Sequence, residues 1–293
     1  MATAPSRPLR IGTRGSPLAL AQARLVADAL KAAHGWDETA VEIVPITTTG
    51  DVIQDRPLAE VGGKALWTRE LDTCLRDGRT DLSVHSMKDV ETIRPEALVI
   101  AAMLERADTR DRLIGADSIA ALAEGARVGT SSPRRSAQLL SRRPDLRTAP
   151  IRGNVQTRLA RVEGGEFDAT LLAAAGLDRL GLDVGAPLDL LPAPAQGAIG
   201  VEILAGRADL RALLDAIDHR PTRISVETER AFLAALGGDC HSAVAALAEG
   251  GRLRAEILSA DGSEIRSGEG EPEALARTLL GEASPALRAM FGR

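Results

Sequence analysis

Apolar positions along this chain alternate between strand-like and helix-like spacing, and the alternation occurs twice in the same order. Arg10-Ile-Gly-Thr-Arg-Gly-Ser-Pro17 reads as a short strand, a Gly-Thr turn and a helix start. Leu18, Leu20, Ala21, Leu25, Val26 and Leu30 then fall near helical spacing. Ser before Pro supplies an N-cap and a first helical position where the missing N–H costs nothing. Arg127-Val-Gly-Thr-Ser-Ser-Pro133 repeats the pattern, one residue shorter, ahead of Ala137, Leu139 and Leu140. There is a second echo: Gly78-Arg-Thr-Asp-Leu-Ser-Val-His85 and Gly165-Glu-Phe-Asp-Ala-Thr-Leu-Leu172 both read as turn, Asp and strand.

Strands alternating with helices predict parallel α/β units, and two similar units make the most economical reading of two ordered echoes. The crossing between them falls near 103–110. Pro187, Pro192 and Pro194 punctuate a loop before the strand-like Gln196-Gly-Ala-Ile-Gly-Val-Glu202. From 222 the character changes: a helix over 224–236 ends at Gly237-Gly238, strands come next at 243–247 and 253–258, and a final helix is predicted over 273–290. The fold class expected is therefore α/β. A first α/β domain takes residues 1–104 with 197–217, a second takes 105–196, and a small α+β domain takes 218–293. Strand-end loops of the two α/β domains are expected to face a cleft, the usual ligand position in open α/β sheets.

Composition narrows the function. Apolar residues make up 44% and charged residues 26% of 293 residues, the balance of a globular protein. The first eight residues have no apolar stretch of the secretory kind, and no apolar run reaches membrane-spanning length, so a cytoplasmic location is expected. The net charge of −5, with two Trp, three Phe and no Tyr, argues against a nucleic-acid partner. Two cysteines, Cys74 and Cys240, give no disulfide framework, and four histidines without metal-ligand spacing leave no expected metal. Cys74 reads as helix packing.

The arginines are clustered at 134/135, 142/143, 152/158 and 158/161. Arg142, Arg143 and Arg161 read as solvated helix faces. Arg134 and Arg135 differ, because they come after Ser132-Pro133 in the first helical turn. A helix start presents free N–H groups and a positive dipole end, where cations are disfavoured unless an anion joins them. Arg14 and Ser16 repeat this arrangement, and Arg152-Gly-Asn-Val-Gln-Thr-Arg158 forms a third such turn with Asn154 as cap. Arg pairs with carboxylates through a planar fork, so the clusters point to a ligand with several carboxylates. His85-Ser-Met-Lys88-Asp89-Val90 places a charged pair at a strand end, either as a structural ion pair or as a carboxylate serving a cation. Cys240, in Leu236-Gly-Gly-Asp-Cys-His241, is either inert or an exposed nucleophile.

Taken together these stretches resemble the hydroxymethylbilane synthase (porphobilinogen deaminase) family over nearly the whole chain. The resemblance rests on Arg10 to Leu20, Thr47-Thr-Thr-Gly-Asp51, Val61-Gly-Gly-Lys64, His85 to Val90, and Gly129-Thr-Ser-Ser132 with Arg134-Arg135. It continues through Arg152-Gly-Asn-Val155, Thr157-Arg158-Leu159, Ala174-Ala-Gly-Leu177, Arg179-Leu-Gly181 and Gln196-Gly-Ala198. It implies an enzyme that condenses four porphobilinogen molecules head to tail with release of ammonia, giving the linear tetrapyrrole hydroxymethylbilane. It implies a dipyrromethane cofactor joined to Cys240 by a thioether, and Asp89 as the catalytic carboxylate that holds pyrrole N–H groups and stabilises an azafulvenium cation. Lys88, Asp89, Thr130, Ser132, Arg134 and Arg135 are implied around the cofactor. Arg14, Ser16, Gln22, Arg152, Arg158, Arg179 and Gln196 are implied around the substrate. The two α/β domains are expected to resemble periplasmic binding proteins, and the molecule to be a monomer.

Some positions depart from the family pattern. Glu91 stands where Pro is frequent, Glu60 where Lys is common, and Gly238-Asp-Cys-His-Ser-Ala243 replaces the commoner Gly-Gly/Ser-Cys-x-x-Pro. These bear on loop geometry and local charge. The alternative function is a non-catalytic small-anion-binding module of the periplasmic-binding-protein fold. A phosphotransfer enzyme is a weaker rival, since the chain has no P-loop.

Overall fold

The computed structural model describes residues 5–48, 68–238 and 242–291. The chain divides into two compact units, residues 1–107 with 198–224 and residues 108–197 with 225–293. In chain order the first unit begins with β1 (Leu9–Arg14), α1 (Pro17–His34), β2 (Val41–Ile46), α2 (Arg69–Arg76), β3 (Leu82–Ser86) and β4 (Leu98–Met103). The second continues with β5 (Asp111–Ile114), β6 (Arg127–Gly129), α3 (Pro133–Arg142), β7 (Arg147–Ala149), α4 (Val155–Glu163), β8 (Ala169–Ala173), α5 (Ala174–Arg179) and β9 (Ala186–Leu188). Then come β10 (Ile199–Leu204), α6 (Ala208–Leu214), α7 (Arg220–Ala235), β11 (Val244–Glu249), β12 (Arg252–Leu258), β13 (Ile265–Glu269), α8 (Pro272–Glu282) and α9 (Pro285–Arg288).

The two Ser-Pro signals are helix starts. Ser16 Oγ accepts the Ala19 N–H at the head of α1, and Ser132 Oγ accepts the Arg135 N–H at the head of α3. α1 ends where Gly35 takes a left-handed conformation, φ 69°, which glycine adopts at no steric cost. Its Ala23, Val26, Ala27 and Leu30 bury against Ile11, Leu82, Val84 and Val201.

Among the described residues both α/β sheets have five strands in an equivalent order, β2-β1-β3-β10-β4 and β7-β6-β8-β5-β9. In the first, β1 lies parallel to β2 and β3, with Ile11 opposite Ile43 and Leu82. In the second, β6 lies parallel to β7 and β8, with Val128 opposite Thr148 and Ala169. The echo between Arg10-Ile-Gly-Thr and Arg127-Val-Gly-Thr is therefore an echo between the central parallel strands. The sheets are not purely parallel. β10 runs antiparallel to β3 and β4, and β5 runs antiparallel to β8 and β9. Each of these strands enters its sheet directly after the chain crosses from the other unit, so no helical crossover sets its direction.

The C-terminal part is an antiparallel meander, β11-β12-β13, with α8 against one face. Phe232, Val244, Ile257, Leu275 and Leu279 lie in its core. Helix α7 starts at Arg220, ahead of the expected 224. The single final helix expected over 273–290 is broken. Pro285 starts a new short helix, whose cap Ser284 accepts the Leu287 N–H. β13 was not anticipated, because Ile265-Arg-Ser-Gly-Glu269 offers one large apolar residue and no alternation. Among the described residues no helix is long and apolar enough to cross a membrane.

Candidate active site

In the first unit, β1 and β3 deliver their ends to one concavity lined by Arg14, Ser16, Gln22, His85, Ser86 and Asp89, among others. Arg14 is the last residue of β1, and Ser16 caps α1 two residues later. Gln22 is buried on the first turns of α1, where its amide Nε2 donates to Ser86 Oγ at 2.8 Å. β3 passes into a single 3-10 turn, Met87–Asp89, that leaves Lys88 and Asp89 half-buried. The Met87 N–H bonds the Ala198 carbonyl, and the Met87 side chain fills space beside Gly200 on β10.

A buried ion network adjoins this concavity. His85 Nε2 lies 3.1 Å from Glu202 Oε2, and Arg94 meets Glu202 through Nε at 2.8 Å and Nη2 at 2.9 Å. Arg94 also pairs with Asp72 and Glu91. Burial works against ionisation of Glu202, but His85 and Arg94 outweigh it and hold the carboxyl down at about 2. Asp72 is shifted upward, because its burial exceeds what Arg94 returns.

In the second unit, Thr130 and Ser132 precede α3, and Arg134 and Arg135 occupy its first turn. Both arginines are buried and bind one carboxylate: Arg134 Nη1 to Asp111 Oδ2 at 2.7 Å, and Arg135 Nη2 to Asp111 Oδ1 at 2.6 Å. Gln196, also buried, donates to Asp111 Oδ1 at 2.9 Å and to the Thr109 carbonyl. Burial pushes Asp111 upward, yet the two arginines hold it well below the usual carboxylate range. Burial pushes the Arg134 guanidinium below its ordinary value, with Asp111 opposing. The anion that two cations at a helix start called for is, in its first layer, the chain's own Asp111. Among the described residues the buried Nε atoms of Arg134 and Arg135 have no hydrogen-bond partner.

Arg152 lies just ahead of α4, which Asn154 caps through the Thr157 N–H, and Arg158 Nε donates back to the Gly153 carbonyl. Arg179, at the end of α5, donates to the Gly197 carbonyl, and burial draws it down to about 10, with Asp178 opposing. Cys240, Glu60 and Lys64 lie outside the described residues. Cys74 is buried on α2, where burial raises its thiol, as packing requires. Among the described residues no group of acidic, His or Cys side chains is placed to hold a metal ion.

Asp111, Glu202, Arg94 and Asp72 were not singled out from the sequence. Asp111 and Glu202 had a faint signal, each an acid in or beside an apolar strand. Arg94 and Asp72 had none.

Two family models match the chain: "Porphobilinogen deaminase, dipyromethane cofactor binding domain" over residues 9–212 and "Porphobilinogen deaminase, C-terminal domain" over residues 223–282. The chain is 58% identical to the porphobilinogen deaminase of Sphingopyxis alaskensis, covering 98% of each chain. It is 52% identical to that of Paracoccus denitrificans, covering 90% of this chain and 88% of the relative. Among solved structures it is similar to a periplasmic substrate-binding protein of an ABC transporter from Coxiella burnetii, at 16% identity and a TM-score of 0.44, covering 76% of this chain and 96% of the other. The protein is a two-unit α/β enzyme with a dipyrromethane-binding domain. It belongs to the porphobilinogen deaminase family.

Proposed function

We propose that this chain condenses four porphobilinogen molecules head to tail, with loss of ammonia, to give hydroxymethylbilane, and that it does so on a dipyrromethane primer held by Cys240. The observation that carries the reading is Asp89, a carboxylate at a strand end that shares one concavity with Arg14, Ser16 and Gln22. A dipyrromethane bears several carboxylates and two ring N–H groups. The helix start at Ser132 and the unpartnered Nε atoms of Arg134 and Arg135 suit such a group. When bound, it supplies a nucleophilic pyrrole carbon.

The chain's own residues have separate tasks. Asp89 accepts pyrrole N–H donors and offsets the positive charge left on porphobilinogen when ammonia departs, a charge worth most to stabilise where water is displaced. Lys88, Thr130, Ser132, Arg134 and Arg135 face the cofactor's polar groups. Arg14, Ser16, Gln22, Arg152, Arg158, Arg179 and Gln196 serve the acetate and propionate groups of the growing chain. Asp111 holds the Arg134 and Arg135 side chains in place. The domain division is residues 1–104 with 197–217, 105–196 and 218–293. The enzyme works as a monomer in the cytoplasm, without a nucleic-acid partner.

The test is Asp89→Asn, nearly isosteric and unable to carry the charge. Product formation from porphobilinogen should fall at least about a hundredfold, in line with the loss of an electrostatic stabiliser, with the melting temperature little changed. Turnover near the wild-type rate would remove Asp89 from the mechanism.

A further inference from the structure

The turn that carries Asp89 is tied on both sides to one buried guanidinium. Upstream, His85 on β3 bonds Glu202, and Glu202 takes two hydrogen bonds from Arg94. Downstream, Glu91 stands two residues after Asp89. Its Oε2 accepts from Arg94 Nη1 at 2.5 Å, and its Oε1 accepts from Thr68 Oγ1 at 2.6 Å. Arg94 Nη2 also reaches Asp72 on α2 at 2.5 Å. The Arg94 side chain is only 9% exposed, and those of Asp72, Glu91 and Glu202 are 8%, 17% and 0% exposed. Strand β10, helix α2 and both flanks of the turn thus meet at one planar fork, which holds geometry as well as charge.

The backbone at position 91 would also suit a proline. A proline there would fix its own φ and confine the residue before it to extended backbone. Val90 already has that conformation, φ −90° and ψ 133°, with no ring to impose it. The ion pair between Glu91 and Arg94 holds the turn without one.

We propose that Arg94 is a positioning residue for Asp89, acting through Glu91 on one side and through Glu202 and His85 on the other. The Glu91–Arg94 pair does for this turn what a proline ring would do. The proposal rests on Asp89 being the carboxylate of the reaction.

The test uses holoenzyme whose cofactor loading is verified by intact mass, and compares Glu91→Ala, Glu91→Pro, Arg94→Lys and Asp89→Asn. Glu91→Ala should lower kcat by about ten- to a hundredfold, the range a small misplacement of reacting groups produces. KM for porphobilinogen should change by less than about twofold, the split expected when only a transition-state contact is lost. Arg94→Lys keeps the charge but loses the fork, and should fall in the same direction. Glu91→Pro cannot pair with Arg94 at all, yet should recover most of the kcat that Glu91→Ala loses. A purely structural ion pair would make the proline variant at least as damaging as the alanine one, in melting temperature and kcat alike. Wild-type kcat in Glu91→Ala, or a proline variant no better than the alanine one, overturns the proposal. Asp89→Asn keeps the two claims apart. If it is fully active, the assignment of Asp89 fails. If it is inactive while Glu91→Ala is normal, the positioning role alone fails.

Discussion

Asp111 shows how a single side chain can decide what its neighbours are able to do. Two guanidiniums in the first turn of α3 repel each other and face the positive end of a helix. Their shared carboxylate, 0% exposed, makes the arrangement stable. Asp111→Asn keeps the shape and removes the charge, which should cost about 3–5 kcal/mol, the usual result of breaking a buried ion cluster. Denaturant unfolding measures it. The pH dependence comes from the downward shift of Asp111 from its ordinary 3.8. The unfolded chain binds this proton more readily than the folded one. The contribution is therefore complete above about pH 5, begins to fall as the pH drops below the ordinary carboxylate value, and is gone only once the pH passes the much lower folded-state value. The wild-type melting temperature should drop in that acid window, and Asp111→Asn should lack this part of the drop. At this scale the sequence was informative about cations and silent about their partners. Arg134 and Arg135 stand beside a recognisable helix start. Asp111 lies more than twenty positions away, and only the tertiary fold says that it meets them.

Among elements, the ones read correctly carried their own local signals. Ser16-Pro17 and Ser132-Pro133 start helices because a hydroxyl can cap and a proline gives up nothing. The ordered echo gave two α/β units because β1 and β6 hold equivalent places in two sheets. The misreadings came where pairing between distant segments sets the outcome. Nothing local in Ile199–Leu204 says that it joins β3 and β4 antiparallel, and β13 owes its existence to the edge that β12 offers. The hairpin between them makes a close contact of its own. Gly262 has φ +70°, and a Cβ there would lie 2.5 Å from the Ala137 carbonyl and the Ser141 nitrogen on α3. Gly262→Ala should therefore destabilise the protein by about 1–3 kcal/mol through overpacking and a strained backbone. Thermal melting of the loaded enzyme reads this directly. A melting temperature equal to wild type would show that the hairpin and α3 are not in contact in solution.

On the scale of the whole molecule, the sharpest expectation concerns a covalent bond. The purified enzyme should weigh more than its bare chain by one dipyrromethane, and the excess should map to the peptide containing Cys240. Cys240→Ser should lose the adduct and the activity together, since a hydroxyl is a far weaker nucleophile than a thiolate at neutral pH. Cys74→Ser should keep both, its thiol being buried on α2. The unloaded variant should also melt lower, because the attached cofactor makes contacts in the folded state that are lost on unfolding. An active preparation with the mass of the bare chain would contradict the covalent primer.

The chain crosses between the units after residues 107, 197 and 224, and the first two crossings set a timetable for synthesis. A ribosome releases β1, β2, β3 and β4 early, yet among the described residues β4 has no neighbour in its sheet except β10, which ends at Leu204. The other α/β sheet has all five of its strands once Leu188 is out. The sheet that starts second is thus the first that can close. During that interval Arg94 and His85 wait for Glu202, so the network beside Asp89 is among the last parts of the first unit to assemble. The nascent chain carries an open strand edge until then, the kind of surface that invites pairing with the wrong neighbour. Slow translation across residues 189–204 would lengthen that exposure, and the cell's chaperones would meet this enzyme there.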